Sequence, residues 1–485
     1  MKRLLLIIMP LLLTTSGARA DILAQAIWCA SNSTLYFDYC ETVTAGSTYS
    51  GQQVTKVYTV PTTTYAQTPD LGWQYDGVNN VATAVVFTEA FKNFKPTSCL
   101  GWFKKFESLT TITGLSNLDT SEVTDMSYMF QACKIETLDV NTFNVNQVTD
   151  ASGMFLDCNQ LTTIYCNQTW SIANSSSMFE NCRQLKGAVS YDLGFNTNDE
   201  LANPINGYFT ASLTLSDDAS NADYLITYNE CYGNITLNGR TLYKDGSWNT
   251  LCLPFNLKLS GSILDDEKVE LKTLVGASVK EGVLSLNFED AEEIKAGVPY
   301  IIRWDNTGSH IVNPVFKGVT ISSTDPEAVT SEDGVVRFTG NYSPVVIAKS
   351  GDRTKLYIGA DNTLSYPKIS FNIGAFHSYF QLGKGLVISS IGDVNNDRSI
   401  DVTDVTLLVN YILGNVNSSF IVDNADVNGG GEITVADVTS LVNIILNGNK
   451  GSNICNVKVT GAKGITFNDG GSGPARVAGN HFQDE

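Results

Sequence analysis

The sequence predicts a multidomain α+β protein, in which a short solenoid of repeats precedes a β-sandwich and a small two-helix module with calcium loops. Three patterns support this fold class. Residues 100–190 repeat with a period near 25, and residues 208–390 alternate short apolar runs with turn residues. Near the C-terminus a twelve-residue acidic pattern occurs twice, 33 residues apart, and each copy runs into a helical pattern. The length of 485 residues suits about three domains.

The chain begins with a segment typical of a secretory signal peptide. Lys2 and Arg3 form a basic start, an apolar run follows over residues 4–13, and Ala18-Arg19-Ala20 forms a small-residue cleavage site. The run is too short to span a bilayer, and no later stretch is long and apolar enough. We therefore expect residues 1–20 to be removed and the protein to be secreted, or held at the surface of a bacterial cell.

The charge of the chain argues against two classes of partner. Removal of residues 1–20 takes away three basic residues and changes the net charge from −19 to −22. A chain this acidic is a poor candidate for binding nucleic acid or an anionic membrane surface.

Residues 100–207 form a repeat region, preceded by a flank over residues 21–99. The repeats align on three Met-Phe pairs, each with a Ser two residues before the Met: Met129-Phe130, Met154-Phe155 and Met178-Phe179. A single repeat cannot bury its apolar face alone, so stacking on neighbours makes the core. We expect Asp125 and Asp150 to cap short helices. The apolar pairs that follow should lead into short strands: Ile135/Leu138 and Leu161/Ile164.

Ten cysteines in an exported chain raise the question of disulfides. Three of them occupy one repeat position, which favours a ladder of buried free thiols: Cys133, Cys158 and Cys182. Cys29 with Cys40, and Cys231 with Cys252, are the more credible bridges. The sequence does not decide the pairing.

The string LDTSEVTDMSYMF at residues 118–130 resembles the BspA-like leucine-rich-repeat family of bacterial surface proteins. The resemblance covers roughly residues 22–210. It implies a leucine-rich-repeat solenoid and a role in adhesion or protein binding, with a host or cell-surface protein or a polysaccharide as the target. The Met-Phe pairs themselves are expected to be core, so function would rest on exposed positions.

Residues 208–391 are predicted to form a β-sandwich. Candidate strands are Ser212–Leu215, Tyr224–Thr227, Val298–Trp304 and Val335–Gly340. No catalytic motif accompanies them, because His310, His377 and His481 lack a recognisable Ser or Cys nucleophile. Trp248 and Trp304 are more readily explained as core than as sugar-stacking residues.

The two acidic loops, residues 393–404 and 426–437, carry oxygen-bearing residues at the ligand positions of an EF-hand-like calcium loop. The candidate metal ligands are Asp393, Asn395, Asp397, Ser399, Asp401 and Asp404 in loop one, and Asp426, Asn428, Gly430, Glu432, Thr434 and Asp437 in loop two. A matching apolar stripe follows each loop: Val402, Val405, Leu408, Val409, Ile412 and Leu413, then Val435, Val438, Leu441, Val442, Ile445 and Leu446.

This pair of segments resembles a type I dockerin over residues 392–448. The resemblance implies two calcium ions and a cohesin on another protein as the partner, contacted at Val402, Thr403, Val435 and Ala436. Two positions depart from the family pattern, since Arg398 replaces the usual Gly of loop one and Gly430 removes a ligand from loop two. We therefore expect the second calcium site to be weaker.

Residues 449–485 are rich in Gly and polar residues near the C-terminus and are predicted to be a flexible tail. The sequence as a whole favours a secreted, non-catalytic binding protein, anchored through the dockerin. Two alternatives remain. In one, the chain belongs to a polysaccharide-degrading assembly, and its middle domain binds or hydrolyses carbohydrate. In the other, the dockerin is a structural clasp within an adhesin.

Overall fold

The computed structural model describes residues 21–63, 71–193, 197–280, 283–305, 308–331, 334, 336–347, 355–359, 362–365, 370–383, 387–388, 391–395, 397, 400–446, 453–454 and 456–467. The chain divides into two compact units, Met1–Thr210 and Ala211–Glu485. The predicted signal peptide, residues 1–20, lies outside the described residues. Within the described part, no helix is long and apolar enough to cross a membrane.

The first unit is built mainly from short strands. They are β1 Ile22–Cys29, β2 Thr34–Glu41, β3 Thr48–Tyr49, β4 Gln52–Gln53, β5 Lys56–Thr59, β6 Ala84–Phe87, β7 Thr111–Thr113, β8 Thr137–Asp139 and β9 Thr163–Tyr165. Two four-residue helices accompany them, α1 Gly72–Tyr75 and α2 Val78–Val81. One sheet has the order β5-β1-β2-β6-β7, with β1 and β2 antiparallel and β2, β6 and β7 parallel.

The predicted repeats stack on one another in parallel. Isolated parallel bridges join Ser98 to Asp125, Asp125 to Asp150, and Asp150 to Asn174. Backbone N–H groups on alternate residues donate to the next repeat, as from Phe130 to the carbonyl of Met154 at 2.9 Å. The phenylalanines of the Met-Phe pairs stack inside, with Phe130 and Phe155 ring centroids 5.8 Å apart. The apolar pairs lead into β8 and β9, as the sequence predicts.

Asp125 and Asp150 do not cap helices, contrary to expectation. Each carboxylate accepts hydrogen bonds from the backbone N–H, at 2.8 Å, and the hydroxyl of the Ser two residues later. This Asx-turn bends the chain without starting a helix. The following backbone then pairs with neighbouring repeats, so its N–H groups are not available for helical hydrogen bonds.

The cysteine ladder is confirmed, whereas the two suggested bridges are wrong. The described cysteines, which exclude Cys455, are free. In the ladder, the Cys158 thiol donates to the Phe130 carbonyl and the Cys182 thiol to the Phe155 carbonyl. Cys29 pairs with Thr34 and Cys40 with Leu23 across β1 and β2. Cys29 and Cys40 are therefore about 20 Å apart, too far for a disulfide. Cys231 and Cys252 are both buried in one apolar core as thiols.

Strands also dominate the second unit, and β10 begins just before it. The strands are β10 Phe209–Ser216, β11 Tyr232–Asn238, β12 Thr241–Leu242, β13 Asn249–Cys252, β14 Leu257–Lys258, β15 Val269–Lys280, β16 Val283–Asp290, β17 Glu293–Ile294, β18 Pro299–Trp304, β19 Ile311–Val312, β20 Val315–Thr320, β21 Val329–Thr330, β22 Val336–Gly340, β23 Val345–Ile347, β24 Lys355–Ile358, β25 Thr363–Ser365, β26 Phe371–Ile373, β27 Ser378–Leu382, β28 Val387–Ile388, β29 Asn453–Ile454, β30 Asn456–Thr460 and β31 Thr466–Phe467. The helices are α3 Ala222–Thr227, α4 Val402–Ile412 and α5 Val435–Leu446.

Two sheets of this unit share one apolar core. Their strand orders are β13-β18-β15-β16-β30 and β21-β22-β27-β24-β25-β31. Phe288 of the first sheet contacts Phe338 and Phe380 of the second, and Trp248 belongs to the same core. Trp304 is fully buried in a neighbouring core. Both tryptophans therefore serve packing, as expected. We call residues 208–391 the β domain.

The candidate strand Tyr224–Thr227 is wrong, because these residues belong to α3. The Asn221 side chain accepts from the Ser216 N–H and donates to the Ser216 carbonyl, which closes a turn directly before the helix. Helical bonds follow, as from the Leu225 N–H to the Asn221 carbonyl. A four-residue apolar run is too short for its periodicity to separate strand from helix.

The flexible-tail expectation is wrong for the part of residues 449–485 that is described. β30 pairs in parallel with β16, and β31 pairs in parallel with β25. Ala462 and Ile465 are buried in the core between the sheets. The apolar residues here find partners far away in the sequence, and a local count of Gly and polar residues does not reveal them. The final residues, 468–485, lie outside the described part.

Candidate calcium-binding module

Each acidic loop leads directly into a helix whose first turn carries the last candidate ligand. Asp401 is the N-cap of α4, and its carboxylate accepts from the Thr403 N–H at 2.7 Å. In turn, the Asp404 carboxylate accepts a hydrogen bond from the Asp401 N–H at 2.9 Å, which completes a capping box. Two candidate ligands of loop one therefore also fix the start of the helix.

Loop one is closed by carboxylates that accept backbone hydrogen bonds from inside the loop. Asp404 also accepts from the Val394 N–H at 2.9 Å, and Asp393 accepts from the Asp397 N–H at 3.1 Å. Asn395 contacts Asp397 through its side-chain amide at 2.7 Å. These hydrogen bonds connect Asp393, Asn395 and Asp397 with one another, and they connect Asp404 with the backbone of the same loop. Ser399 and Arg398 lie outside the described residues.

Loop two repeats this pattern. Asp437 accepts from the Asn428 N–H at 3.1 Å and from the Thr434 N–H at 2.7 Å. Asp426 accepts from the N–H groups of Gly430 and Gly431 at 2.9 and 2.8 Å. The first and last carboxylates therefore have equivalent roles in both loops. The Glu432 side chain is exposed.

The buried Asp393 lies close enough to Asp404 to disfavour ionisation of Asp404. Asp393 and Asp404 are only 2% and 0% exposed. Burial raises the pKa of Asp404, and the charge of Asp393 acts in the same direction. In loop two, burial opposes ionisation of Asp437, but hydrogen bonds from Thr434 and Asn428 hold its pKa below the ordinary value. A bound cation would favour the ionised form of each group.

These residues fit a calcium ion in chemistry, because calcium takes carboxylate, amide and carbonyl oxygens. Paired, buried carboxylates such as Asp393 and Asp404 require a compensating charge. No three His, Cys, Asp or Glu side chains are already gathered as a metal-binding group in the described ranges.

The predicted apolar stripes are only partly core. Leu408 and Leu441 are buried, and Val405, Ile412, Val438 and Ile445 pack against them. Four stripe residues are instead exposed at equivalent places in the two copies: Val402 (69%), Leu413 (70%), Val435 (68%) and Leu446 (77%). The stripe is wider than the contact between two short helices, so its outer edge faces solvent. Thr403 and Ala436, the other candidate partner contacts, are also exposed.

Asn424 is a structural residue of the site that sequence reasoning missed. Its side chain is buried and donates to the Asp393 carbonyl at 2.7 Å, while its own carbonyl accepts from the Gly392 N–H at 2.8 Å. It thereby holds the start of loop one. The equivalent position in the first copy is Ile391, so the repeat offered no signal for it.

The arrangement of two matched loops and two helices agrees with a comparison against known families. Residues 391–446 match the family model of the type I dockerin domain. Dockerins of this type bind calcium, and the domain supports docking to a cohesin in a cell-surface assembly. This chain therefore carries a type I dockerin domain over residues 391–446.

A second family model matches the repeat region. Residues 73–211 match the family described as "Mycoplasma protein of unknown function, DUF285". Neither a curated protein nor a solved structure matches the chain.

Outside the dockerin, the β domain buries a cluster of ionisable groups. Asp217, Arg240 and His377 are all buried, and His377 Nε2 lies 3.6 Å from Asp217 Oδ1. Burial raises the pKa of Asp217 to about 6, against the opposing effect of Arg240. Burial also lowers the pKa of His377 well below its usual range, and Arg240 acts in the same direction. Because these groups are buried, their ionisation affects the stability of the β domain.

Proposed function

We propose that this protein is a secreted, non-catalytic binding component of a cell-surface assembly. Its dockerin docks to a cohesin on another protein when calcium is bound, and its repeat region recognises a target. The β domain, as a β-sandwich, separates the two activities. The observation that carries the proposal is the dockerin match over residues 391–446 together with the doubled hydrogen-bond pattern of the two loops.

The exposed positions of the dockerin support the docking role. Val402 and Val435 stand at the start of α4 and α5, and both are more than two-thirds exposed. Exposed apolar side chains at equivalent places in two copies are costly in a monomer unless a partner covers them. A cohesin surface with an apolar centre is the partner that this arrangement fits.

The repeat region supports recognition through its exposed positions. We assign it to the leucine-rich-repeat class, because its core positions repeat while its outer positions vary. Regular stacking presents the outer side chains of successive repeats in rows, which is how solenoids form extended binding surfaces. A host or cell-surface protein or a polysaccharide is the proposed target.

One observation favours a second candidate, in which the β domain binds or hydrolyses carbohydrate. An open cleft of about 890 Å³ is lined by Asp265, Glu292 and Glu293, together with Lys258. Glycoside hydrolysis commonly uses two carboxylates that face one cleft. If this candidate is correct, the intact protein will hydrolyse or bind members of a polysaccharide panel, and the combined substitution D265N/E292Q will abolish this. A wild-type protein without either property would contradict it.

The docking proposal is tested by immobilising the intact protein and exposing it to purified cohesins of the source organism. At least one cohesin should be retained in calcium and released by a chelator. Retention of none of them, or retention that ignores the chelator, would contradict the proposal.

A further inference from the structure

The dockerin is flanked on both sides by strands that pair with each other. β28 lies just before it and β29 just after it, and they pair in parallel, with Val387 opposite Asn453 and Ile388 opposite Ile454. The chain therefore enters and leaves the dockerin side by side. In this respect the dockerin is an insertion within the second unit and not a terminal attachment on one linker.

The strands that follow the dockerin complete both sheets of the β domain. β30 is the outermost strand of its sheet and pairs in parallel with β16 over five residues, from Val283 opposite Asn456 to Asn287 opposite Thr460. β31 pairs in parallel with β25 at the edge of the facing sheet. Parallel pairing needs a long crossover connection, and here the chain between the sheet strands includes the dockerin. We call residues 456–467 the clamp segment.

Side-chain packing holds the clamp segment in this register. Val457 and Val459 pack on the shared core, while Lys458 and Thr460 alternate with them and are exposed, which is the pattern of a half-buried strand. Ala462 and Ile465 are buried in the same core. Trp248 Nε1 donates to the Lys463 carbonyl at 3.0 Å. Gly461 has a φ of +78°, and a Cβ atom added at this position would collide with the Phe288 carbonyl oxygen.

We propose that the clamp segment is a second attachment point, which holds the dockerin on the β domain of the same chain independently of the first connection. A load applied through a docked partner would then pass into the β domain through two strands. Cutting the chain on the N-terminal side of the dockerin would leave the dockerin attached. The proposal extends the docking function, but its test involves no cohesin, so the two can fail separately.

The test uses the full chain with a protease recognition sequence inserted between residues 389 and 390. After cleavage under native conditions, the fragment that begins at residue 390 should co-elute with the rest of the protein in size-exclusion chromatography, at the mass of one intact chain. Separation of the two fragments would overturn the proposal. Co-elution at the mass of a dimer would also overturn it, because the clamp would then come from a second copy.

Two matched variants test whether the clamp segment is the cause of the co-elution. In the cleaved protein, Ile465→Asp places a charge in the core and should release the fragment. Thr460→Asp places the same charge on an exposed position of β30 and should leave it bound. In the uncut protein, Ile465→Asp should also lower the melting temperature of the β domain. A clamp variant that retains the fragment as fully as the control would contradict the assignment.

Discussion

Asp404 is the residue on which loop one and helix α4 both depend. It is fully buried and accepts hydrogen bonds from the N–H groups of Val394 and Asp401. We expect Asp404→Asn to weaken the tighter calcium site by at least about tenfold, because even indirect partners of metal ligands contribute that much. Isothermal titration of the intact protein measures this. Asp423→Asn, which removes an exposed charge outside both loops, is the control and should leave both sites unchanged.

We expect loop one and loop two to bind calcium with different affinities. Loop one places four carboxylates at ligand positions, whereas loop two has Gly430 at its fifth position and Thr434 at its ninth. Fewer charged ligands give weaker binding. In the same titration, Asp437→Asn should therefore abolish the weaker of two binding events and leave the tighter one intact. Equal affinities in the unmodified protein would contradict this ordering.

The buried Asp217 and His377 should make opposite contributions to stability as the pH changes. Asp217 has a pKa raised from 3.8 to about 6, so the folded state holds the proton more tightly, and stability falls as the pH rises through this range. His377 has a lowered pKa, so the unfolded state takes the proton below pH 6.5, and stability falls as the pH drops. Between about pH 4 and 6 the two effects on stability oppose each other.

Single substitutions should reveal the pH dependence of stability that is due to each of the two residues. In urea unfolding of the β domain, Asp217→Asn should leave stability rising with pH up to about 6.5, with a limiting slope of about 1.4 kcal/mol per pH unit. His377→Gln should leave stability falling between about pH 4 and 6. The sign of the slope is the readout, since both variants also lose stability. Slopes of equal sign in the two variants would contradict the assignment.

At the scale of elements, the aromatic stack carries much of the stability of the repeat region. Phe130 is fully buried, and its ring lies 5.4 Å from Phe103 and 5.8 Å from Phe155, centroid to centroid. We expect Phe130→Ala to lower the free energy of unfolding of the first unit by about 3–5 kcal/mol, as for other buried phenylalanines. Chemical denaturation measures this. Tyr75→Ala removes an exposed ring and should cost little.

The exposed residues at the start of α4 and α5 should contribute to the affinity for the partner but not to the stability of the dockerin. Val402→Glu with Val435→Glu adds charges at exposed apolar positions, so cohesin binding should weaken at least about tenfold, the equivalent of roughly 1.4 kcal/mol. Calcium-loaded melting should be unaffected. Ile226→Glu, at an exposed position of α3, is the matched control. Undiminished binding by the double variant would place the docking surface elsewhere.

The sequence predicted elements with a strong local pattern and missed those defined by distant partners. The Met-Phe stack and the helices after both loops follow from repeated spacing, and the structure has them. The run Tyr224–Thr227 was too short for its period to distinguish helix from strand. Asn456–Thr460 does alternate apolar and polar residues, but its partner β16 precedes it by more than 160 residues. Because a Gly-rich stretch follows Asn456–Thr460, the sequence suggested a flexible tail and the strand was not predicted.

At the scale of the whole molecule, the small size of the dockerin leads us to expect that its folding depends on calcium. Its core contains few fully buried side chains, among them Val394, Leu408 and Leu441. A core of this size is marginal on its own. Because metal binding is coupled to folding in such modules, the ion should supply much of the free energy that orders the loops and helices. The cores of the β domain and of the repeat region are larger and contain no calcium loop.

The most direct test of this account is amide hydrogen exchange of the intact protein with calcium and with a chelator. The amides of Val402–Ile412 and Val435–Leu446 should be protected with calcium and exchange rapidly without it, while β15, β16 and β18 remain protected in both conditions. Protection of the two helices that is unchanged by the chelator would contradict the claim that calcium builds the docking module.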